Sequence, residues 1–416
     1  MNIEIKNGRI IDPKNRVDRS NASLYIADGK IAAIGDAPAG FVADQIIDAA
    51  GSVVSPGFID LGARLNSIEA ELAAAVAGGV TSVVVPPDAD PPLDEPELAD
   101  RLVHRGKEIR KARVLPLGAL TLSLNGERLA ELAGLKKAGC VAFSQANKSV
   151  VDTEALLRAM EYAATFDFAI WLQPQDYWLS RNGIAHEGEV SSRLGLAGIP
   201  VAAETIAVGT IVQLVRDTGC RVHLTRLSSA AGVALVQRAQ HEGLPVTFDI
   251  GVHHLLLTEN DIGFFNPHAR FSPPLRAQSD RQALSNAAAA GLAAICSDHT
   301  PVGADDKLLP FGEAKPGATG LEVLLPLTLK WAEEAGVSLP DALARITSAP
   351  AAVLGLPSGE LGVGAVADIC IFDPEATWQL TPEALKSRGK NSPWTGYMLT
   401  GKVKTTLVDG CVVYQA

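Results

Sequence analysis

The sequence predicts an α/β protein: a TIM-type (β/α)8 barrel with a small β domain made from both ends of the chain. Its 416 residues exceed one ordinary domain but suit a large barrel with an attached domain. Hydrophobic residues make up 47% and aromatic residues only 5%, which favours an aliphatic core between parallel strands and covering helices. Between Gly57 and Gly355, apolar strand-like runs alternate with helical stretches rich in Ala and Leu.

Both chain ends carry short alternating runs with the period of half-buried antiparallel strands. The turn signals Asn7-Gly8, Asp28-Gly29 and Asp409-Gly410 separate them. The predicted strands are residues 3–5, 23–26, 30–34, 367–372, 403–408 and 411–414. Neither end has enough strands for an independent sheet. We therefore expect residues 1–56 and 356–416 to form one composite β domain beside a barrel of residues 57–355.

The central segment predicts repeated strand-then-helix units. Candidate strands are residues 80–85, 113–117, 141–143, 169–172, 221–224, 245–250 and 293–296, and candidate helices include 69–77, 153–166 and 203–218. Units of this number indicate a TIM-type barrel, whose functional side chains lie at the C-terminal ends of the strands. The candidate functional residues are therefore those that follow each strand.

Charge, cysteine content and the absence of several sequence motifs exclude some classes of partner and activity. The 36 basic and 47 acidic residues give a net charge of -11, which disfavours nucleic acid and acidic membranes as partners. Five widely spaced cysteines predict buried free thiols in a reducing compartment. The chain does not begin with a signal-like segment, and no apolar run reaches the roughly 18 residues of a membrane span. No GxGxxG, Walker A, G-x-S-x-G, CxxC or HExxH motif occurs. We expect a cytoplasmic protein without nucleic-acid or membrane partners.

Six segments, in order along almost the whole chain, resemble landmarks of the cyclic amidohydrolases, and specifically of type I dihydroorotases. They are SPGFIDL at 55–61, GEVSSRLGLAGIPVAAE at 188–204, HHLLLT at 253–258, PPLR at 273–276, SDHTP at 297–301 and GATGL at 317–321. The resemblance implies an amidohydrolase barrel with a β-sandwich formed by both termini. Active members hydrolyse a cyclic amide with one or two zinc ions, which activate a bound water and polarise the amide carbonyl.

The resemblance also implies that most metal ligands are replaced. The replaced positions are Gly62 and Arg64 for the HxH pair after the first strand, Gln145 for the bridging carboxylate, Gln173 for the next histidine and Arg226 for a second histidine on the following strand. Asp298 retains the last metal-binding aspartate, with His299 beside it. We expect these two residues to be vestiges of a catalytic site, without catalytic activity.

The two arginines at former ligand positions argue against a bound cation. A guanidinium roughly 4 Å from a divalent ion adds several kcal/mol of repulsion even at an effective dielectric near 20, and arginine cannot lose its proton to relieve it. We therefore expect no zinc and no other cofactor. Arg64 or Arg226 is expected to form a salt bridge with Asp298 in place of the metal.

By the same resemblance the substrate-binding positions have changed as well. They are Asn66 for an arginine, Asp88 and Ser272 for asparagines, and Val302 for a histidine. A carboxylate at Asp88 is expected to repel an anionic substrate.

The remaining histidines have structural interpretations. His253 and His254 are expected to pack structurally, because adjacent residues on a strand point to opposite faces and do not chelate one ion easily. His223, in the middle of a predicted strand, is expected to be a hydrogen-bonded core histidine.

The resemblance implies one leading function and two alternatives remain open. The leading hypothesis is an inactive dihydroorotase homologue that assembles with the catalytic chain of aspartate carbamoyltransferase in pyrimidine biosynthesis, as part of a homo- and hetero-oligomer. The first alternative is a metal-dependent cyclic amidohydrolase with an altered site built from Asp298, His299 and His223. The second is a sensor that binds a pyrimidine or nucleotide at the barrel mouth without chemistry.

Overall fold

The computed structural model describes all 416 residues, Met1–Ala416. Its strands are β1 (Ile3–Asp12), β2 (Val17–Ala27), β3 (Lys30–Ile34), β4 (Gln45–Asp48), β5 (Val53–Pro56), β6 (Phe58–Asp60), β7 (Val80–Val85), β8 (Arg113–Ala119), β9 (Ala142–Ser144), β10 (Ala169–Leu172), β11 (Ala185–His186), β12 (Gly198–Ile199), β13 (Arg221–Leu224), β14 (Val246–Gly251), β15 (Ala294–Cys296), β16 (Ile369–Gln379), β17 (Met398–Val408) and β18 (Cys411–Gln415).

Helices follow most of the central strands. They are α1 (Ile68–Ala77), α2 (Pro96–Ile109), α3 (Leu132–Lys137), α4 (Thr153–Thr165), α5 (Tyr177–Ser180), α6 (Glu189–Leu194), α7 (Val201–Thr218), α8 (Ala230–His241), α9 (Gln278–Ala289), α10 (Leu324–Ala335), α11 (Leu339–Ala344) and α12 (Ser348–Leu354). None of them combines the length and the hydropathy needed to cross a bilayer.

The central sheet is a nearly closed barrel of parallel strands, in the order β6, β7, β8, β9, β10, β13, β14 and β15. Its first and last strands meet just beyond their C-terminal ends, where Ala63 and His299 form a parallel bridge. There the Arg64 amide donates to the His299 carbonyl at 2.9 Å and the His299 amide to the Gly62 carbonyl at 3.1 Å. The predicted TIM-type barrel is confirmed, and β7, β10 and β13 have the predicted bounds.

The second sheet contains both chain ends, as predicted. Its order is β18, β17, β16, β5, β1, β2 and β3, with β4 also paired to β1. The link between the two ends is the antiparallel pairing of β5 with β16, in which Val54 lies opposite Ile371. Phe372 packs into the main core with the barrel, whereas Val54 and Ile371 belong to a smaller core within this sheet.

Side chains fill the inside of the barrel. The layer consists of Leu61, Val84, Leu117, Ala142, Trp171, Ala294 and Cys296. The Trp171 ring packs against the His223 ring with 4.4 Å between centroids. This packing leaves only a small space at the C-terminal ends of the strands, where the site lies.

Candidate functional site

A cavity of about 30 Å³ lies at the C-terminal ends of the barrel strands, and its lining includes Gly62, Arg64, Arg226, Asp249 and Asp298. A space of this size holds about two water molecules. Apart from Gly62 itself and its two neighbours in the chain, no heavy atom lies within 4 Å of the point where a Cβ at Gly62 would stand. The first position of the family's HxH pair therefore faces open space.

The salt bridge predicted at Asp298 is formed by Arg226. Its Nη1 lies 2.8 Å from Asp298 Oδ1, and both residues are buried. The same guanidinium donates to Gln173 Oε1 at 3.0 Å, to Asn147 Oδ1 at 2.5 Å and to the Ser272 carbonyl at 3.4 Å. Burial opposes the charge on Arg226, but the charge and hydrogen bond of Asp298 outweigh it, so the pKa of Arg226 lies above its ordinary value.

Arg64 pairs with Asp88 and not with Asp298. Its Nε and Nη2 donate to Asp88 Oδ2 at 3.0 and 2.8 Å, and Nη1 donates to Thr300 Oγ1 at 3.0 Å. Of the two arginines predicted as candidates for Asp298, Arg226 is therefore the partner, because Asp88 takes the guanidinium of Arg64. The expectation that Asp88 acts as a repelling carboxylate also needs correction, since its charge is neutralised by this arginine.

Asn147 links the two ion pairs. Its Oδ1 accepts hydrogen bonds from Arg64 Nη2 at 3.0 Å and from Arg226 Nη2 at 2.5 Å. Sequence reasoning missed Asn147, although an amide two residues beyond Gln145 in a strand-end loop was a usable signal. Together the two guanidinia and their partners form a connected polar network across the barrel mouth.

Both partners of the central ion pair occupy an unusual backbone conformation. Arg226 has φ 56° and Asp298 has φ 47°, in the left-handed region that few non-glycine residues adopt. For Arg226 this geometry is held by its amide, which donates to Asp249 Oδ1 at 2.7 Å. Such strain persists only where the surrounding structure fixes it, so the ion pair is a rigid feature of the site.

Glu204 of α7 fixes the loop that carries Arg226. This buried carboxylate accepts hydrogen bonds from the amides and hydroxyls of Ser228 and Ser229, at 2.5 to 3.0 Å. Ser229 also caps α8 by accepting from the Gly232 amide at 3.0 Å. The position of Arg226 therefore depends on a second, fully satisfied buried network.

The two glutamines at former ligand positions have different surroundings. Gln173 belongs to the arginine network through its bond to Arg226. Gln145 is fully buried and accepts from Thr121 Oγ1 at 3.0 Å, while its Nε2 has no partner. Gln145 is therefore not part of the network that joins the two arginines.

His223 is a core histidine, as predicted. Its Nδ1 lies 2.8 Å from Thr247 Oγ1 and its Nε2 3.0 Å from Asp249 Oδ2. Asp249, which sequence reasoning missed, also accepts from the Arg226 amide. His223 thus helps to position Arg226 indirectly, because it bonds to Asp249, which accepts from the Arg226 amide.

His299 does not share the location of Asp298. Its Nδ1 accepts from the Gly320 amide at 3.0 Å, so Nε2 carries the proton that is shared with Glu71 Oε2 at 3.0 Å. His299 therefore does not line the cavity beside Asp298, because its ring points to Glu71 of α1. Neighbouring Ser297 donates twice to Asp60, at 2.6 Å each, and burial raises the pKa of Asp60 to about 6.

His253 and His254 have structural roles, but for a different reason than predicted. They lie in a 3-10 helix, Val252–Leu255, and not on a strand. Trp394 Nε1 donates to His253 Nδ1 at 3.0 Å, and His254 Nε2 lies 3.1 Å from the Pro273 carbonyl. Burial lowers the pKa of His253 to about 3, so its ring is neutral.

The other substituted substrate-binding positions supply no free cationic side chain that could bind an anion. Asn66 is exposed and donates to the Pro301 carbonyl at 2.9 Å. Val302 is buried, and its amide donates to Asn391 Oδ1 at 2.9 Å. Ser272 contributes only its carbonyl, to Arg226. Both arginines of the mouth are committed to protein carboxylates.

A parallel barrel with its polar site at the strand ends and a sheet built from both termini defines the amidohydrolase class of folds. Residues 51–231 match the family described as dihydro-orotase-like, and residues 184–414 match the amidohydrolase family. The chain is 44% identical to a dihydroorotase-like protein of Pseudomonas putida over 423 residues, covering 100% of this chain and 99% of the relative. It is 43% identical to a dihydroorotase-like protein of Pseudomonas aeruginosa, with complete coverage of both. The chain therefore belongs to the dihydroorotase-like family of amidohydrolases.

Other relatives and solved structures agree. A dihydroorotase of Syntrophotalea carbinolica is 39% identical, covering 100% of this chain and 99% of the relative. The L-hydantoinase of Arthrobacter aurescens superposes with a TM-score of 0.88 at 24% identity, covering 99% of this chain and 96% of that structure. This likeness shows the amidohydrolase fold.

The residues present do not fit the zinc ions that the family resemblance implies. Zinc takes imidazoles, thiolates and carboxylates in a tetrahedral arrangement, and no group of three or more His, Cys, Asp or Glu side chains in this chain could hold a metal ion. Cys296 lies near the cavity, but burial raises the pKa of its thiol well above the ordinary value. The one retained ligand, Asp298, already bonds to a permanent cation.

Proposed function

We propose that this chain is a catalytically inactive dihydroorotase homologue, a pseudoenzyme, that serves in the cytoplasm as a non-catalytic assembly subunit of aspartate carbamoyltransferase. One observation carries the inactivity: the Arg226 guanidinium lies 2.8 Å from Asp298, the only family ligand retained. A divalent ion at the same carboxylate would stand against a fixed positive charge, and arginine does not deprotonate to accept it.

The size of the cavity supports the same conclusion. With about 30 Å³ the space holds about two water molecules, which is much less than a six-membered ring with its substituents. A pyrimidine sensor at the barrel mouth would need the same space, and the buried Arg226–Asp298 pair and the partly buried Arg64–Asp88 pair would have to open to provide it.

The assembly role rests on the family resemblance together with this loss of function. A chain that keeps a complete fold without a catalytic centre works through its surface, and the inactive dihydroorotase-like chains that this sequence resembles assemble with the transcarbamoylase. Because the chain supplies no active site, a separate dihydroorotase is expected in the same cell.

Metal analysis and a turnover assay test the inactivity. We expect purified protein to contain well under one zinc ion per chain and to hydrolyse dihydroorotate no faster than its Asp298→Ala variant. A dihydroorotase from a relative, prepared in the same way, is the positive control. Stoichiometric zinc, or turnover that disappears in Asp298→Ala, contradicts the proposal.

Size-exclusion chromatography with light-scattering detection, run on a mixture of this chain and the catalytic chain of aspartate carbamoyltransferase, tests the assembly role. We expect a stable complex larger than either component. Two separate peaks, together with full transcarbamoylase activity and assembly without this chain, contradict the role.

A further inference from the structure

An open apolar cleft lies on the rim of the barrel, next to the arginine network, and Gln173 belongs to both. Its volume is about 120 Å³, and it runs between the N-terminus of α4, the short helix α5 and the first turns of α7. Leu156, Leu172 and Ile211 form part of its walls. We refer to this feature as the Trp178 cleft.

Large apolar side chains stand exposed around the opening of the Trp178 cleft. Trp178 is 61% exposed, Val151 51%, Ile206 50% and Tyr177 42%. Trp178 is the only exposed tryptophan of the five in the chain. A contiguous exposed apolar patch with aromatic residues at its centre is the signature of a protein interaction surface.

The rim of the cleft is held open by hydrogen bonds. Asp176 caps α5 by accepting from the Leu179 amide at 2.9 Å, and its own amide donates to the Ala203 carbonyl of α7 at 2.7 Å. Ser149 Oγ donates to the Gln175 carbonyl at 2.5 Å and ties the loop before α4 to the same segment. Because these bonds fix the aromatic residues before any partner arrives, binding costs little ordering of the rim.

Two basic side chains at the cleft have no acidic partner. Lys148 lines the cleft, and the Arg181 guanidinium lies 4.5 Å from the centre of the Trp178 ring, yet neither forms a salt bridge. Elsewhere on the same helices arginines are paired, as Arg158 is with Glu161 at 2.9 Å and Arg216 with Glu242 at 2.7 Å. The one carboxylate in the lining, Asp176, is engaged in capping α5, so the two unpaired cations favour an occupant with carboxylates beside its apolar side chains.

The same charges disfavour a second copy of this chain as the occupant. A two-fold contact through the cleft would place Lys148 and Arg181 of each copy near those of the other, and like charges at an interface cost several kcal/mol. A partner with a different, acidic surface removes this repulsion.

We propose that the Trp178 cleft docks an apolar segment, flanked by acidic residues, of the aspartate carbamoyltransferase catalytic chain. This inference rests on the assembly role proposed above and assigns it a surface. Trp178 and Ile206 are the anchoring contacts, and Lys148 and Arg181 select for the acidic flanks.

Calorimetric titration of the full-length chain with the transcarbamoylase catalytic chain tests the docking surface. We expect Trp178→Ala to weaken binding about 30-fold, which is typical of a central aromatic anchor. Ile206→Asp is expected to abolish binding, because it places a carboxylate opposite acidic flanks. Lys148→Glu is expected to weaken binding and to reduce its dependence on salt.

The matched control is Phe166→Ala. Phe166 is 52% exposed but lies at the opposite end of α4 from the cleft, so its removal should leave the affinity unchanged. All variants should retain the circular dichroism spectrum and melting temperature of the wild type. The fluorescence of Trp178 should also become protected from acrylamide quenching in the complex.

The outcomes separate the two proposals. If the wild type binds and the cleft variants bind within threefold of it, the docking surface is refuted while the assembly role stands. If the wild type itself forms no complex, the assembly role fails, and this surface fails with it.

Discussion

Removing one partner of the Arg226–Asp298 pair should destabilise the fold strongly. Both side chains are almost fully shielded, at 9% and 4% exposure, and their atoms lie 2.8 Å apart. At an effective dielectric near 20, two unit charges at this distance attract by about 6 kcal/mol. This attraction offsets the cost of taking both charges out of water, so deleting one partner leaves an uncompensated buried charge and typically costs 3 to 5 kcal/mol.

A double-mutant cycle measures this coupling. In Asp298→Asn the guanidinium keeps its bonds to Gln173 and Asn147, so we expect a loss of about 3 kcal/mol, at the lower end of that range. Arg226→Met should cost a similar amount, because it strands the carboxylate. The double variant should lose much less than the sum of the two, with a coupling energy of about 3 kcal/mol.

Urea unfolding monitored by near-ultraviolet circular dichroism gives the four free energies of unfolding. The control is the same cycle on Arg158 and Glu161, which are 60% and 47% exposed at a similar distance of 2.9 Å, and it should show no resolvable coupling. A coupling below about 1 kcal/mol at Arg226–Asp298 would place the buried pair with ordinary surface pairs. The view that a salt bridge replaces the metal would then be wrong.

Three further predictions concern the histidine core, the second buried network and metal. Because the pKa of His253 falls from 6.5 to about 3 in the fold, the unfolded chain takes up a proton that the folded chain refuses, and stability is lost as the pH drops below 6.5. At pH 5 this loss is about 2 kcal/mol. The free energy of unfolding in urea should therefore be lower at pH 5 than at pH 7.5, and His253→Gln should remove about 2 kcal/mol of this difference. An unchanged difference would contradict the low pKa. Glu204→Gln should lower the free energy of unfolding by about 2 to 3 kcal/mol, since an amide cannot accept all the bonds that Ser228 and Ser229 donate to the carboxylate; a loss below about 0.5 kcal/mol would show that the network relaxes. A zinc chelator should leave the melting temperature unchanged, whereas a drop of several degrees would reveal a structural metal.

Much of the fold could be predicted from the sequence because its signals are local. Buried parallel strands show as short apolar runs, and β7, β10 and β13 begin and end at the predicted residues. The turn at Asp409-Gly410 joins β17 to β18 as its residue types indicate. The short strand β4 was missed, because its pairing depends on β1 more than forty residues away and not on its own pattern.

The sequence predicted the part of the site in which opposite charges must pair. It did not predict the choice of partner or the orientation of individual side chains. A carboxylate and arginines at one end of a barrel tend to neutralise each other, which led to the prediction that Arg64 or Arg226 pairs with Asp298, and Arg226 does. Which arginine pairs with which carboxylate depends on distances that no spacing encodes, so the sequence left Arg64 and Arg226 both as candidates for Asp298 and did not predict the Arg64–Asp88 pair. The direction of the His299 ring is fixed by Glu71, which is more than two hundred residues away in sequence.

The pairing of β5 with β16 has a consequence for synthesis of the chain on the ribosome. Val54 and Ile371 are more than three hundred residues apart, so at roughly 5 to 20 residues per second the edge of β5 waits between about 15 seconds and one minute for its neighbour. During that time the nascent N-terminal strands present an unpaired edge, which is a template for aggregation. Chaperones that bind nascent chains, or slow translation near the C-terminus, would therefore change the yield of folded protein more than they would for a barrel without a shared terminal sheet.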